Sequence, residues 1–346
     1  MRFLYIHILG TEFILAMILI RKFMKQLLPK RYIVILWDFV LLSFILPFLF
    51  ASKARSVPQS LNIVGSTMIS INNNITEFML RYLGPLRIIS LIGTILILLY
   101  FSCSYLISVR TFKKASDATD MYILNWLSDQ KIKRKIRVRE SNAISSPLTF
   151  GILRPVILLP VHEKNRQHLP LILHHEYEHI LHFDSVRKLI MLLIVSLYWF
   201  NPFLWIMCFM YNNDIEYACD EAVIKTKGVN YKKEYSLLLV HSAKSKEGHD
   251  LLSSYLSKNS MEERILLIMN FKKRTLLCKI LSLVTLIGLL TIMITTQRIN
   301  AIASQDNNVA DQTNYSTAEE TTLQDLNTEK INIFDIVYTP DSINEQ

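Results

Sequence analysis

Five apolar runs, at about 3–20, 33–50, 86–108, 189–211 and 278–296, constrain this chain more than any other feature of its sequence. A hydrocarbon core of about 30 Å is spanned by roughly 20 mostly apolar residues in helical form, and each run is near that length with few charges. Because lipid offers backbone groups no hydrogen bonds, such runs must be helices. Composition agrees: of 346 residues 51% are hydrophobic and 19% charged, which excludes a disordered chain and disfavours an ordinary soluble one. Cys103, Cys208, Cys219 and Cys278 show no paired spacing, so neither disulfides nor a cysteine zinc knuckle is expected.

Charge placement orients the runs. The surplus of +9 is confined to certain stretches and reads as membrane topology, not as a nucleic-acid footprint. Arg21, Lys22, Lys25, Lys30 and Arg31 follow the first run, which marks a retained span with the amino terminus outside rather than a signal peptide. Residues 1–108 then form three transmembrane helices with an extracellular loop at 51–85. Lys113, Lys114, Lys131, Lys133, Arg134, Lys135, Arg137 and Arg139 hold 109–188 inside. The span at 278–296 leads to an outside tail, 297–346, with Arg298 and Lys330 against nine acids. That tail is expected to be largely disordered, with a short strand over Ile331–Tyr338.

The fourth run is long enough to span, yet a full span would put 212–277, with 11 Lys+Arg, outside. Asn201-Pro202 interrupts it near the middle, and proline inside a helix costs about 3 kcal/mol. Two limbs of about 185–199 and 203–216, each roughly 20 Å long, form a re-entrant hairpin instead. Residues 109–277 then make one cytoplasmic domain.

Within it lies His175-Glu176-Tyr177-Glu178-His179. On a helix this spacing puts two imidazoles one turn apart on one face, where both reach a single zinc ion. A zinc hydrolase needs a third protein ligand and leaves a position for water. The returning limb offers Glu216, with Asp220 on the same helix face to fix an imidazole by hydrogen bonding. Glu176 is placed as the base that takes a proton from water and passes it to the leaving amine. His175-x-x-Glu178-His179 also fits the inverted motif, which would make Glu178 the base. Asp214 and Glu221 are the other candidates for third ligand. His174 and His182 read as interfacial polar residues, Asp184-Ser185 as the cap of the next limb, and Cys219 as a packed side chain. Glu12 and Asp38, acids inside spans, fit interhelical pairing as well as signalling. Ile136–Arg139 and Val156–Leu159 read as short strands whose edge an extended substrate could join, or as a structural hairpin.

Ser145-Ser-Pro-Leu-Thr-Phe-Gly-Ile-Leu-Arg-Pro-Val-Ile-Leu-Leu-Pro160, His175-Glu-Tyr-Glu-His179, Asn201-Pro-Phe-Leu-Trp205 and Glu216-Tyr-Ala-Cys-Asp-Glu221 occur in this order. As a set, with the flanking spans, they resemble the membrane metallopeptidase family of the beta-lactam sensor-transducers (BlaR/MecR type) over about residues 1–296. The resemblance implies a mainly α protein: polytopic membrane helices plus a cytoplasmic gluzincin-like zinc protease domain with a small β-sheet. It implies one zinc ion on His175, His179 and Glu216, with Glu176 as base. It also implies an outside signal that activates cleavage of a cytoplasmic transcriptional repressor. Tyr231–Arg274 corresponds to the region that holds the family's self-cleavage site, so self-cleavage is a second expectation. The family's penicillin-binding domain after the last span has no counterpart in the 50 residues beyond Thr296, where no Ser-x-x-Lys occurs, so direct beta-lactam sensing is not expected of this chain. Two other functions fit the residues: a housekeeping protease for damaged membrane proteins, and a non-catalytic receptor with a structural zinc.

Overall fold

The computed structural model describes residues 2–24, 27–49, 72–130, 132, 134–161, 166–244, 251–272 and the helical positions 280, 284–285, 287–288 and 291. The tail, the strand expected at Ile331–Tyr338, 51–71 and most of the last apolar run lie outside them. The chain divides into two compact units, 1–47 with 65–288 and 48–64 with 289–346; the description below concerns the first.

Helix α1 spans Arg2–Met24, α2 Lys30–Leu49 and α3 Asn72–Lys113. The second half of the expected 51–85 loop is therefore helical. Ile88–Lys113, within α3, has a mean hydropathy of 2.0 with 6% of its window buried. Among the described residues it is the one helix long and apolar enough to cross a membrane. Of the spans expected, this one meets the criterion among the described residues. The stretches around the other early runs bury a face in the protein, with Ile14 and Met17 of α1 and Val34, Trp37 and Phe44 of α2 nearly inaccessible. The fourth run is split in two.

A four-stranded mixed sheet follows: β1 (Ser116–Asp117), β2 (Arg137–Ser141), β3 (Leu148–Phe150) and β4 (Val156–Pro160), in the order β1-β2-β4-β3. Helix α4 (Met121–Ser128), capped by Asp120, lies between β1 and β2 in the chain. The strands expected at 136–139 and 156–159 are neighbours, but they pair in parallel, Val138 opposite Ile157, and so are no hairpin. Parallel pairing requires a crossover, which 142–155 supplies. Within that crossover β3 turns back onto β4 through Gly151, whose φ of +89° a side chain would strain. The sheet edges are therefore β1 and β3, and not either strand legible in the sequence.

Helices α5 (Leu169–Leu181), α6 (Asp184–Leu197), α7 (Pro202–Lys227), α8 (Lys232–Lys244) and α9 (Leu251–Met269) complete the unit. Asn201 accepts the Phe203 N–H at 3.0 Å and Pro202 opens α7, the preferred chemistry for a helix start. This corner sits against α3, where Trp199 Nε1 donates to the Ser90 carbonyl; a Cβ on Gly93 would come within 2.4 Å of the Trp199 ring. The chain thus reverses between α6 and α7, and α7 packs on both α5 and α6. Leu173, Tyr177 and Ile180 of α5 close with Ile157 of β4 and Val223 of α7 into one core, which sets the helices carrying the chemical residues against each other.

Candidate metal centre

On α5, His175 and His179 are one turn apart, their ring centroids 4.9 Å from each other. Glu216 of α7 faces both: its Oε2 lies 3.4 Å from His175 Nε2 and its Oε1 3.7 Å from His179 Nε2. One donor atom from each of the three falls within 4.8 Å of the others. The remaining ring nitrogens are held from behind. His175 Nδ1 is 2.9 Å from the Tyr235 hydroxyl and 3.4 Å from Asp220 Oδ1; His179 Nδ1 is 2.9 Å from Asp184 Oδ2. A carboxylate on the outer nitrogen fixes the tautomer that leaves Nε2 free to bind an ion, so this donor set fits a divalent metal.

The electrostatics favour positive charge at His175. Burial opposes protonation of His175, but hydrogen bonds and charge from Asp220 and Glu216 outweigh it and push the ring up to about 10. Burial would raise Asp220, yet the Arg264 guanidinium, bound to both its oxygens at 2.8 Å, and His175 hold it at about 2. Arg264 also reaches Glu216, at 3.6 Å.

Glu176 is buried beside the imidazoles, its Oε2 accepting from the Thr149 hydroxyl at 2.7 Å. His175, Glu176, His179 and Glu216 line a cavity of about 590 Å³, together with Thr149 of β3, Leu238 of α8 and Met261 of α9. Glu178 is turned elsewhere, 3.3 Å from His182, 3.6 Å from His174 and 3.9 Å from Arg31. Asp214 is bound by Arg21 and the Trp37 indole, and Glu221 accepts the Lys30 N–H, so neither joins the cluster.

Asp184 is not the side-chain cap that the sequence suggests. The cap position is Phe183, at a φ of 56°, and the Asp184 carboxylate is spent on His179. Buried Cys219 lies 3.4 Å from His179 Nδ1 and 3.6 Å from Asp184. His179, Asp184 and Cys219 are thus near enough for a second ion. Arg187 and Arg31 already stand 3.0 and 3.4 Å from Asp184, which makes a further cation there unfavourable. Sequence reasoning missed Thr149, Asp184, Tyr235 and Arg264. Only Asp184 carried a local signal, an acid five residues beyond His179.

Two imidazoles and a carboxylate converge beside a buried glutamate, on a cavity that opens between a sheet edge and two helices, an arrangement that suits a metallopeptidase. The profile of the BlaR1 peptidase M56 family matches residues 1–268, and the chain belongs to that family. It is similar to the regulatory protein BlaR1 of Bacillus licheniformis, 30% identical over 155 residues, covering 43% of this chain and 26% of that protein. It is also similar to the methicillin resistance mecR1 proteins of Staphylococcus aureus and Staphylococcus epidermidis, each 29% identical over 143 residues, covering 39% of this chain and 24% of theirs. The matches span about a quarter of the length of these relatives.

Proposed function

We propose that this chain is an integral-membrane zinc endopeptidase that relays an outside signal by cleaving a cytoplasmic transcriptional repressor, and that it also cuts itself within 231–274. The observation that carries the reading is the convergence of His175 Nε2, His179 Nε2 and Glu216 on one point, beside Glu176 and an open cavity. Two imidazoles with a carboxylate is a donor set that suits zinc in catalytic sites. When bound there, zinc polarises the scissile carbonyl and makes water acidic near neutral pH.

The chain's own residues do the rest. Glu176, aimed by Thr149, takes a proton from the attacking water; the hydroxide adds to the carbonyl carbon, the C–N bond breaks, and Glu176 returns the proton to the leaving amine. Asp220 and Asp184 hold the two rings, and Tyr235 and Arg264 hold Asp220. Edge strand β3, which carries Thr149, offers backbone groups to an extended substrate along the cavity. The lipid-facing part follows from Ile88–Lys113 and from the apolar side chains exposed on α6 and α7, such as Leu193, Leu197, Trp205 and Ile206. The re-entrant hairpin, the cytoplasmic site and the outside termini follow from charge placement.

Quantitative proteomics of cells carrying the wild type or Glu176→Gln tests the reading. A single stabilised repressor supports signalling. Many stabilised membrane proteins would make the chain a housekeeping protease, and no change in any protein would leave it a receptor without proteolysis.

A further inference from the structure

Each imidazole is backed by a carboxylate–guanidinium pair, but the two pairs lead to different parts of the molecule. Behind His175, Asp220 is gripped by Arg264 of α9. Behind His179, Asp184 is nearly inaccessible and has its two oxygens divided: Oδ2 takes His179 Nδ1 at 2.9 Å, while Oδ1 takes Arg187 Nη1 at 3.0 Å. Arg187 turns its Nε onto both oxygens of Asp38, at 3.0 and 3.2 Å, and Asp38 also accepts the Tyr211 hydroxyl. Asp38 belongs to α2, in the second apolar run. The same Arg187 Nη1 donates to the His182 carbonyl, at the end of the helix that carries both imidazoles. A second strand of the connection is Arg31 of α2, 3.4 Å from Asp184 Oδ1.

We infer that Asp38 and Arg187 are positioning residues for His179, through which the placement of helix α2 sets the grip on the metal. The inference rests on the proposed reading of His179 as a ligand. The physical reason is the shape of arginine: a planar fork with fixed donor directions cannot follow one partner without turning away from another. A displacement of α2 that carries Asp38 along moves the fork relative to Asp184 and His182. Asp184 then loses a charge-assisted hydrogen bond and with it the orientation of the His179 ring. Helix α2 is thereby joined to a ligand by an unbroken chain of four side chains, Asp38, Arg187, Asp184 and His179. The acid at 38 has a use beyond interhelical pairing.

The test is zinc affinity of the full chain in lipid nanodiscs, by competition with a chromophoric chelator, alongside the visible spectrum of the cobalt-loaded protein. Arg187→Gln should weaken zinc binding by about tenfold or more, the usual effect of removing support from behind a ligand, and shift the cobalt bands. Asp38→Asn should move both readouts in the same direction by less. The double variant should bind no worse than Arg187→Gln alone, because the two residues act in series; in an Asp220→Asn background the Asp38→Asn loss should multiply instead. Melting of the zinc-free proteins shows whether each variant folds. If Arg187→Gln does not, Arg187→Lys and Asp38→Asn carry the test. Wild-type affinity and spectrum in Asp38→Asn and Arg187→Lys, or losses that multiply in the Asp38→Asn/Arg187→Gln double variant, would overturn the inference. A wild type that takes up no zinc, or a His179→Ala variant with unchanged affinity, would instead overturn the underlying assignment of the site.

Discussion

Glu176 and Glu178 are two residues apart on one helix and face opposite surroundings. Glu176 meets the Thr149 hydroxyl at the cavity, while Glu178 is enclosed by His174, His182 and Arg31. Spacing alone leaves both as candidate bases, because both flank the histidines; the contact from Thr149 of strand β3 to Glu176 favours Glu176. In a peptidase assay, Glu176→Gln should lower turnover by about 10²–10⁴-fold with metal retained, and Glu178→Gln should keep most of it. The reverse order would move the base to Glu178. Asp220 carries a pH signature. Its folded pKa of about 2 lies below its ordinary 3.8, so its stabilisation is present above about pH 4 and is lost as pH falls towards 2, about 2 kcal/mol in all. In the metal-free protein the Tm gap between wild type and Asp220→Asn should be widest near neutral pH and close across that acid interval. A gap that stays constant would contradict the depressed value. The histidine pair was legible because an i, i+4 spacing is a local pattern. Thr149, Tyr235 and Arg264 were not, because they arrive from 26 to 89 residues away from His175 and leave no mark on its neighbourhood.

At the scale of elements, the reversal at Asn201-Pro202 is what returns Glu216 to the histidines. Its chemistry is written locally: an amide that caps the first turn, and a ring that needs no N–H there. Asn201 also donates to Thr11 of α1 at 2.9 Å, so its loss reaches beyond the cap. Asn201→Ala should cost about 1 kcal/mol in thermal unfolding, the usual value of a lost cap. An unchanged melting curve would show that the corner holds without its cap. The sheet was half legible. Ile157, Leu158 and Leu159 of β4 are all inaccessible, and such a continuous apolar run signals a strand covered on both faces. It does not signal the partner. A three-residue strand inside a crossover, β3, has too few residues to show a period, although it supplies the edge beside the site.

For the whole molecule, apolar runs and charge placement describe a membrane protein, and membership of the M56 family fits that description. Hydropathy could not tell exposed apolar helices from helices packed on protein: α3 beyond Ile88 is mostly exposed, whereas Val34, Trp37 and Phe44 of α2 are buried. That difference comes from tertiary packing, which a windowed average does not contain. Lys188, half-exposed at the cavity, reports on sidedness. In a Cys103→Ser background, Lys188→Cys should react with a membrane-impermeant maleimide only after the cells are opened. Labelling of intact cells would place the site outside.

The central proposal for this protein is one ion held by His175, His179 and Glu216. X-ray absorption at the zinc edge of the purified full chain measures that directly. Nitrogen and oxygen neighbours at about 2.0–2.2 Å, with one carboxylate contribution lost in Glu216→Ala, are predicted. A sulfur neighbour at about 2.3 Å, which would bring in Cys219, or a spectrum that Glu216→Ala leaves unchanged, would contradict it.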